Sequence, residues 1–332
     1  MPAAFERFAI GFDRRDRARL HELWDGVIDS NRWSEGELTV SFEAAWEAHN
    51  GLGAVATSGW TGGALAALEW AEVRGRKVVV PSNTFMATPL AVLAAEGTPV
   101  FGDCRRDDLC LSVQETERLI DEHDPAAVFL VHIGGHIAFD APVIAALCRD
   151  RGVTLLEDCA HAHGAVWDGR RPGSFGDAGI YSLYATKTIS TGEGGVLVSR
   201  HPELREFARG YRNYGKPDHA QPGLNFRMSE FTAAIGLVQV QRLEEIVAWK
   251  NEIARTELDP VHPSRLQLPD GMVSGLYKYI VMDWLERSTG RVYDAPCHRI
   301  MGTGDDLPNS DWVAANHSCV PLYYRLDEAD QA

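Results

Sequence analysis

The chain of 332 residues is short of positive charge: 32 lysines and arginines stand against 47 aspartates and glutamates, a formal net charge of −15. A nucleic-acid partner would need a basic face, so the deficit argues against that class. It leaves room for a small anionic ligand, which a few local cations can hold. No apolar run reaches the roughly 18–20 residues of a membrane span, and the first residues lack the apolar core of a secretory signal. The six cysteines (104, 110, 148, 159, 297 and 319) form no Cys-x-x-Cys pair. They read as reduced thiols in a cytoplasmic protein rather than as a disulfide framework. Low-complexity tracts and internal repeats are missing as well. What remains is ordinary in composition, 45% hydrophobic and 24% charged, and long enough for one large core with a smaller unit attached.

What is present centres on a lysine. Gly179–Tyr184 reads as a strand that carries Lys187 into a segment rich in hydroxyls and glycines, and Val196-Leu197-Val198 leaves it as a second strand. Burial or a cationic neighbour lowers a lysine's pKa until its neutral amine can attack a carbonyl. Upstream, the buried strand Val153–Leu156 ends in Glu157-Asp158-Cys159-Ala160-His161-Ala162-His163-Gly164. An acid at the carboxyl end of a parallel strand lies where α/β sheets place their ligands. A lysine able to form a Schiff base and an aspartate able to hold a pyridinium nitrogen are the pair that pyridoxal phosphate requires.

Four landmarks stand in order: Glu-Asp-x-Ala-x-Ala-x-Gly at 157–164, Ser-x4-Lys at 182–187, Gly-Glu-Gly-Gly at 192–195 and Gly-Leu-Asn-Phe-Arg-Met-Ser-Glu at 223–230. From about Trp33 to Ile246 the sequence resembles the DegT/DnrJ/EryC1/StrS sugar aminotransferases. The resemblance implies a fold-type I enzyme, like aspartate aminotransferase: a large α/β domain with a mostly parallel sheet over 1–247, and a small, shortened α+β domain over 248–332. It implies Lys187 as the Schiff-base lysine and acid–base group, with Asp158 on the ring nitrogen. Ser182 and the 59–61 loop would anchor the cofactor phosphate. In Ala54–Gly63, a glycine-rich loop opening a helix, the family has threonine where this chain has Trp60. Either Thr61 supplies the hydroxyl or the backbone from Gly59 does the work.

By the same resemblance Phe85 would stack on the cofactor ring, His161 would bond its 3′ oxygen, and Asn225 would reach the phosphate of a neighbouring subunit, giving a homodimer with shared sites. The cluster Arg212, Lys216 and Arg227 is then a candidate for a sugar nucleotide's diphosphate. His132, His136, His161 and His163 suggest a metal, but no carboxylate or cysteine completes a set at ligand spacing, so no metal is expected. Strands at 77–81, 99–103, 127–132 and 277–282 alternate with helical stretches at 142–149 and 231–247, the βαβ pattern of a parallel sheet. The expected reaction moves an amino group from an amino acid, glutamate by resemblance, through pyridoxamine phosphate to a keto-sugar, foremost a nucleotide-linked one. A keto-cyclitol acceptor is the alternative. A dehydratase would carry histidine at position 187, and a non-catalytic regulatory protein should have lost Lys187 or Asp158.

Overall fold

Short runs such as Val78-Val79-Val80 and Ala127-Val128-Phe129-Leu130 are apolar at every position, so they suit strands covered on both faces. The computed structural model describes residues 10–286 and 288–324; the chain ends 1–9 and 325–332, included in the two expected domains, lie outside the described residues. Helices α1 (Arg14–Ser30) and α2 (Glu37–Asn50) precede β1 (Gly53–Thr57), α3 (Trp60–Trp70), β2 (Lys77–Pro81), α4 (Ala87–Ala94) and β3 (Thr98–Gly102). Next come α5 (Val113–His123), β4 (Ala127–Val131), α6 (Ala141–Arg151), β5 (Thr154–Asp158), β6 (Val166–Trp167), β7 (Ala178–Ser182) and β8 (Gly195–Ser199). The last part holds α7 (Pro202–Tyr211), α8 (Glu230–Ile253), β9 (Met272–Val273), β10 (Tyr279–Val281), α9 (Cys297–Met301), α10 (Pro308–Ala315) and β11 (Ser318–Val320).

Seven strands form one sheet in the order β1-β8-β7-β5-β4-β2-β3. All are parallel except β8, which runs against both neighbours. Alternation sorts the side chains. Val78, Val80, Phe129 and Leu156 join one buried cluster, whereas Val79, Val128, Leu130 and Leu155 join another on the opposite face. Because β8 starts where the others end, Gly195 pairs with both Thr57 and Ser182. The Ala54–Thr57 stretch, read from sequence as part of a loop, is therefore strand β1, recruited by β8 to the sheet's edge.

Helix α8 continues past residue 247 to Ile253. Ser229 caps its N-terminus, and the buried Glu230 carboxylate accepts from the amides of Gly36 (3.0 Å), Leu38 (2.7 Å) and Thr39 (3.1 Å), satisfying free donors at the start of α2. Beyond α8 the chain adds two small ladders, β10 with β11 and β6 with β9. Of its residues, Leu266, Ile280, Val313 and Cys319 enter a main core cluster, while Leu276, Tyr279, Val281 and Leu322 form a small cluster with Ala254.

Candidate active site

The carboxyl ends of β1, β2, β5 and β7 converge on one edge, where they and the C-terminal segment line a cavity of about 740 Å³, within the range of small-molecule sites. Asp158 lies on its floor, 5% exposed. Its Oδ1 accepts from the Trp60 indole N–H (3.1 Å) and the Ala160 amide (3.0 Å), and its Oδ2 from the Thr88 hydroxyl (3.1 Å). Burial pushes the Asp158 pKa up; the Ala160 N–H, the Lys187 charge and the Thr88 hydroxyl pull the other way.

Lys187 is half-buried. Burial lowers its pKa to about 8, Lys278 pushes in the same direction, and Asp158 opposes. The Lys187 Nζ stands 4.9 Å from the ring centroid of Tyr277, whose hydroxyl pairs with Thr186 Oγ1 at 3.2 Å. His161 stacks on the same ring, 4.2 Å between centroids, with Tyr293 on its other side at 5.8 Å. Burial, reinforced by Lys187 and Lys278, holds the His161 pKa well below its ordinary value, so the ring is neutral. Because the Gly134 amide donates to Nδ1 (3.4 Å), the proton belongs on Nε2.

The N-terminus of α3 forms one wall. Gly59 is its cap and makes no side-chain hydrogen bond. A Cβ on Gly195 would lie 2.6 Å from the Gly59 carbonyl carbon and 2.7 Å from the Trp60 nitrogen, so the double glycine lets β8 approach the helix end. Gly59, Trp60, Thr61, Phe85 and Ser182 all line the cavity. Ser182 is buried, and Phe85 is 63% exposed at the opening.

The family model of the DegT/DnrJ/EryC1/StrS aminotransferases matches residues 15–271. The chain belongs to the DegT/DnrJ/EryC1/StrS aminotransferase family. It is 32% identical over 247 residues to a GDP-perosamine synthase of Escherichia coli O157:H7, covering 72% of this chain and 66% of that one. It is also 32% identical over 246 residues to an L-glutamine:2-deoxy-scyllo-inosose aminotransferase of Streptomyces paromomycinus, covering 67% of this chain and 57% of that one. The match thus spans somewhat less than two thirds of these relatives' own length. Among solved structures, the aminotransferase TlmJ from Streptoalloteichus hindustanus superposes with a TM-score of 0.86 at 30% identity, covering 99% of this chain and 96% of TlmJ. One structural neighbour, Spr1654 of Streptococcus pneumoniae, at 18% identity and a TM-score of 0.85, is known in a pyridoxal phosphate form.

Within this member of the DegT/DnrJ/EryC1/StrS family, eight of the nine expected site positions lie around one cavity; Asn225 does not. It is exposed on the loop before α8 and bridges to Asn213, although the next residue, Phe226, accepts from the Ser58 amide at 2.8 Å. Two cations of the expected diphosphate cluster are engaged within their own chain. Arg212 pairs with Glu43 at 2.6 Å, and Arg227 donates to Asn213 Oδ1 at 2.7 Å. Spacing alone also missed a grouping: His132, Glu157 and Cys159 do come together. Their atoms are engaged, however. Glu157 accepts from His132 (2.9 Å) and from the amides of Gly173, Phe175 and Gly176, while His132 Nδ1 accepts from Ala138. His163 packs against the rings of Trp46 and Tyr181. Sequence reasoning missed Thr88, Tyr277, Tyr293 and Asp294. Thr88 had a signal, since Thr84-Phe85-Met86-Ala87-Thr88 sets it three residues after Phe85, on the first turn of α4.

Proposed function

We propose that this chain is a pyridoxal phosphate-dependent aminotransferase that moves an amino group from an amino acid, glutamate in the first instance, to a keto-sugar. The observation that carries the reading is the pairing, across one cavity floor, of a buried Asp158 held by three donors with a half-buried Lys187 whose pKa lies near 8. The residues present fit the cofactor. A helix N-terminus without a side-chain cap offers its amides to a phosphate, and the buried Ser182 lines the same cavity. Pyridoxal phosphate supplies the carbonyl that carries the amino group and a ring that accepts electrons from the substrate's Cα.

In this reading Lys187 would hold the cofactor through Nζ at its carbonyl carbon. As a free amine Lys187 would move a proton off and onto the substrate's Cα as general base and acid. A pKa near the working pH suits both directions. Asp158 would hold the ring-nitrogen proton, His161 Nε2–H would donate to the 3′ oxygen, Phe85 would cover the ring, and Gly59, Trp60, Thr61 and Ser182 would frame the phosphate. Asn225, exposed on its loop, is assigned to the site of a second copy, which makes a homodimer part of the proposal. The acceptor is a nucleotide-linked keto-sugar or a keto-cyclitol. One observation favours the second: among the described residues lining the cavity Lys187 is the one cation, whereas Glu193 and Asp294 are exposed carboxylates there. Such a mouth does not attract a diphosphate.

The test adds pyridoxal phosphate to the purified protein, reduces with borohydride and maps the labelled peptide by mass spectrometry. A label on Lys187 in the sample reduced without donor, and bleaching of the visible band by glutamate in a separate unreduced sample, are the expected results. A label on Lys216 or Lys250, or no label, overturns the assignment. Offering a sugar nucleotide and a keto-cyclitol to the amino form then separates the acceptors.

A further inference from the structure

The position where this chain departs from its relatives' motif has acquired a partner. Trp60 opens α3 and is 7% exposed, with its ring tilted against Phe129 at 6.2 Å. An indole nitrogen can only donate, so burying it without an acceptor is costly. Its acceptor is Asp158 Oδ1 at 3.1 Å. A carboxylate has about four lone-pair positions. Three are used, by Trp60 and Ala160 on Oδ1 and by Thr88 on Oδ2. One is left, on Oδ2. Thr84 Oγ1 lies 3.0 Å from the Thr88 hydroxyl and orients it.

We propose that Trp60 is a positioning residue for the cofactor ring: its N–H saturates Asp158 Oδ1, which leaves Oδ2 as the atom that receives the protonated ring nitrogen. The proposal rests on the pyridoxal phosphate reading above. It also accounts for tryptophan at this position, since a threonine side chain is too short to place a donor where the indole nitrogen does. Hydrogen bonds to the charged form favour that form, so Trp60 both aims the carboxylate and keeps it ionised in a buried site.

A packing role and a positioning role differ in one respect. Positioning matters only for a cofactor that has a ring nitrogen. The experiment therefore titrates wild type, Trp60→Phe and Thr88→Val with pyridoxal phosphate and with its 1-deaza analogue, in which CH replaces the ring nitrogen. Binding is followed by the absorbance of the lysine-bound form. Trp60→Phe should weaken pyridoxal phosphate by about tenfold or more, the usual scale for a lost hydrogen bond to a charged group, and leave the deaza analogue within about twofold. Thr88→Val should do the same from the other oxygen. Equal losses for both compounds, or none for either, overturn the proposal. If Trp60→Phe fails to fold, Trp60→3-benzothienylalanine keeps the shape and replaces N–H with sulfur. Wild type binding neither compound would refute the cofactor reading itself, an outcome distinct from the other two.

Discussion

Replacing Lys278 with methionine should raise the pKa of Lys187. The two ammonium groups lie 4.9 and 5.0 Å from the centroid of one ring, that of Tyr277. They are thus at most about 10 Å apart, where two like charges repel by about 1.7 kcal/mol at an effective dielectric of about 20 and about 0.4 kcal/mol in bulk water. One pH unit corresponds to about 1.4 kcal/mol. A half-buried pair sits nearer the first figure, so Lys278→Met should lift Lys187 from about 8 by roughly one pH unit. At pH 7 that lowers the fraction of free amine about tenfold. Competitive labelling of the cofactor-free protein with trace acetic anhydride from pH 6 to 11, with the Lys187 peptide quantified by mass spectrometry, reads the value directly. A wild-type pKa near the ordinary 10.5 would show that burial does not depress this lysine. An unchanged value in the variant would show that Lys278 is not the second cause.

Three further outcomes follow from the same structure. Lys250 is buried, donates to the Leu276 carbonyl at 3.1 Å, and is lowered to about 8 by burial and by Lys278. Between pH 8 and the ordinary 10.5 the unfolded chain keeps a proton the folded one has lost; wild type should therefore gain up to about 3 kcal/mol relative to Lys250→Met as pH rises through that window, read by urea unfolding. Below pH 8 the difference should be flat. Glu230→Ala strands several amides at the start of α2 and should cost about 2–4 kcal/mol in the same assay, with Glu230→Gln recovering part of it. Gly195→Ala drives a methyl group into Gly59 and the Trp60 nitrogen. It should destabilise the fold by about 1–3 kcal/mol and weaken pyridoxal phosphate binding, measured by absorbance titration.

Much of the site was legible because its chemistry sits next to strong strand signals. Asp158 ends the apolar run of β5, and Lys187 follows β7 within a few residues, so periodicity placed both at the sheet's edge. Pairings made across the fold were not legible. Nothing local ties Trp60 to Asp158, 98 positions away, or Arg212 to Glu43. The Ala54–Thr57 strand was hidden because it is short, leads into a glycine-rich turn, and owes its place to β8. Tyr277 looked like part of a strand from 277 to 282, yet the ladder begins at Tyr279. That leaves Tyr277 on the approach to β10, free to turn toward Lys187.

The reversed strand β8 has one more consequence. Since Ser182 and Gly195 are cross-strand partners, residues 183–194 form a loop moored at both feet. Its internal ties run through Leu183 to Gly194, Thr191 to Leu183, and the Ser190 amide to Gln239. Within the loop Lys187 contributes its amide, to the Tyr184 carbonyl, while its side chain lies over the Tyr277 ring outside the loop. The hydrogen bonds that moor the loop therefore do not run through the Lys187 side chain. In evolutionary terms, a single codon can retool the chemistry while the architecture is inherited intact.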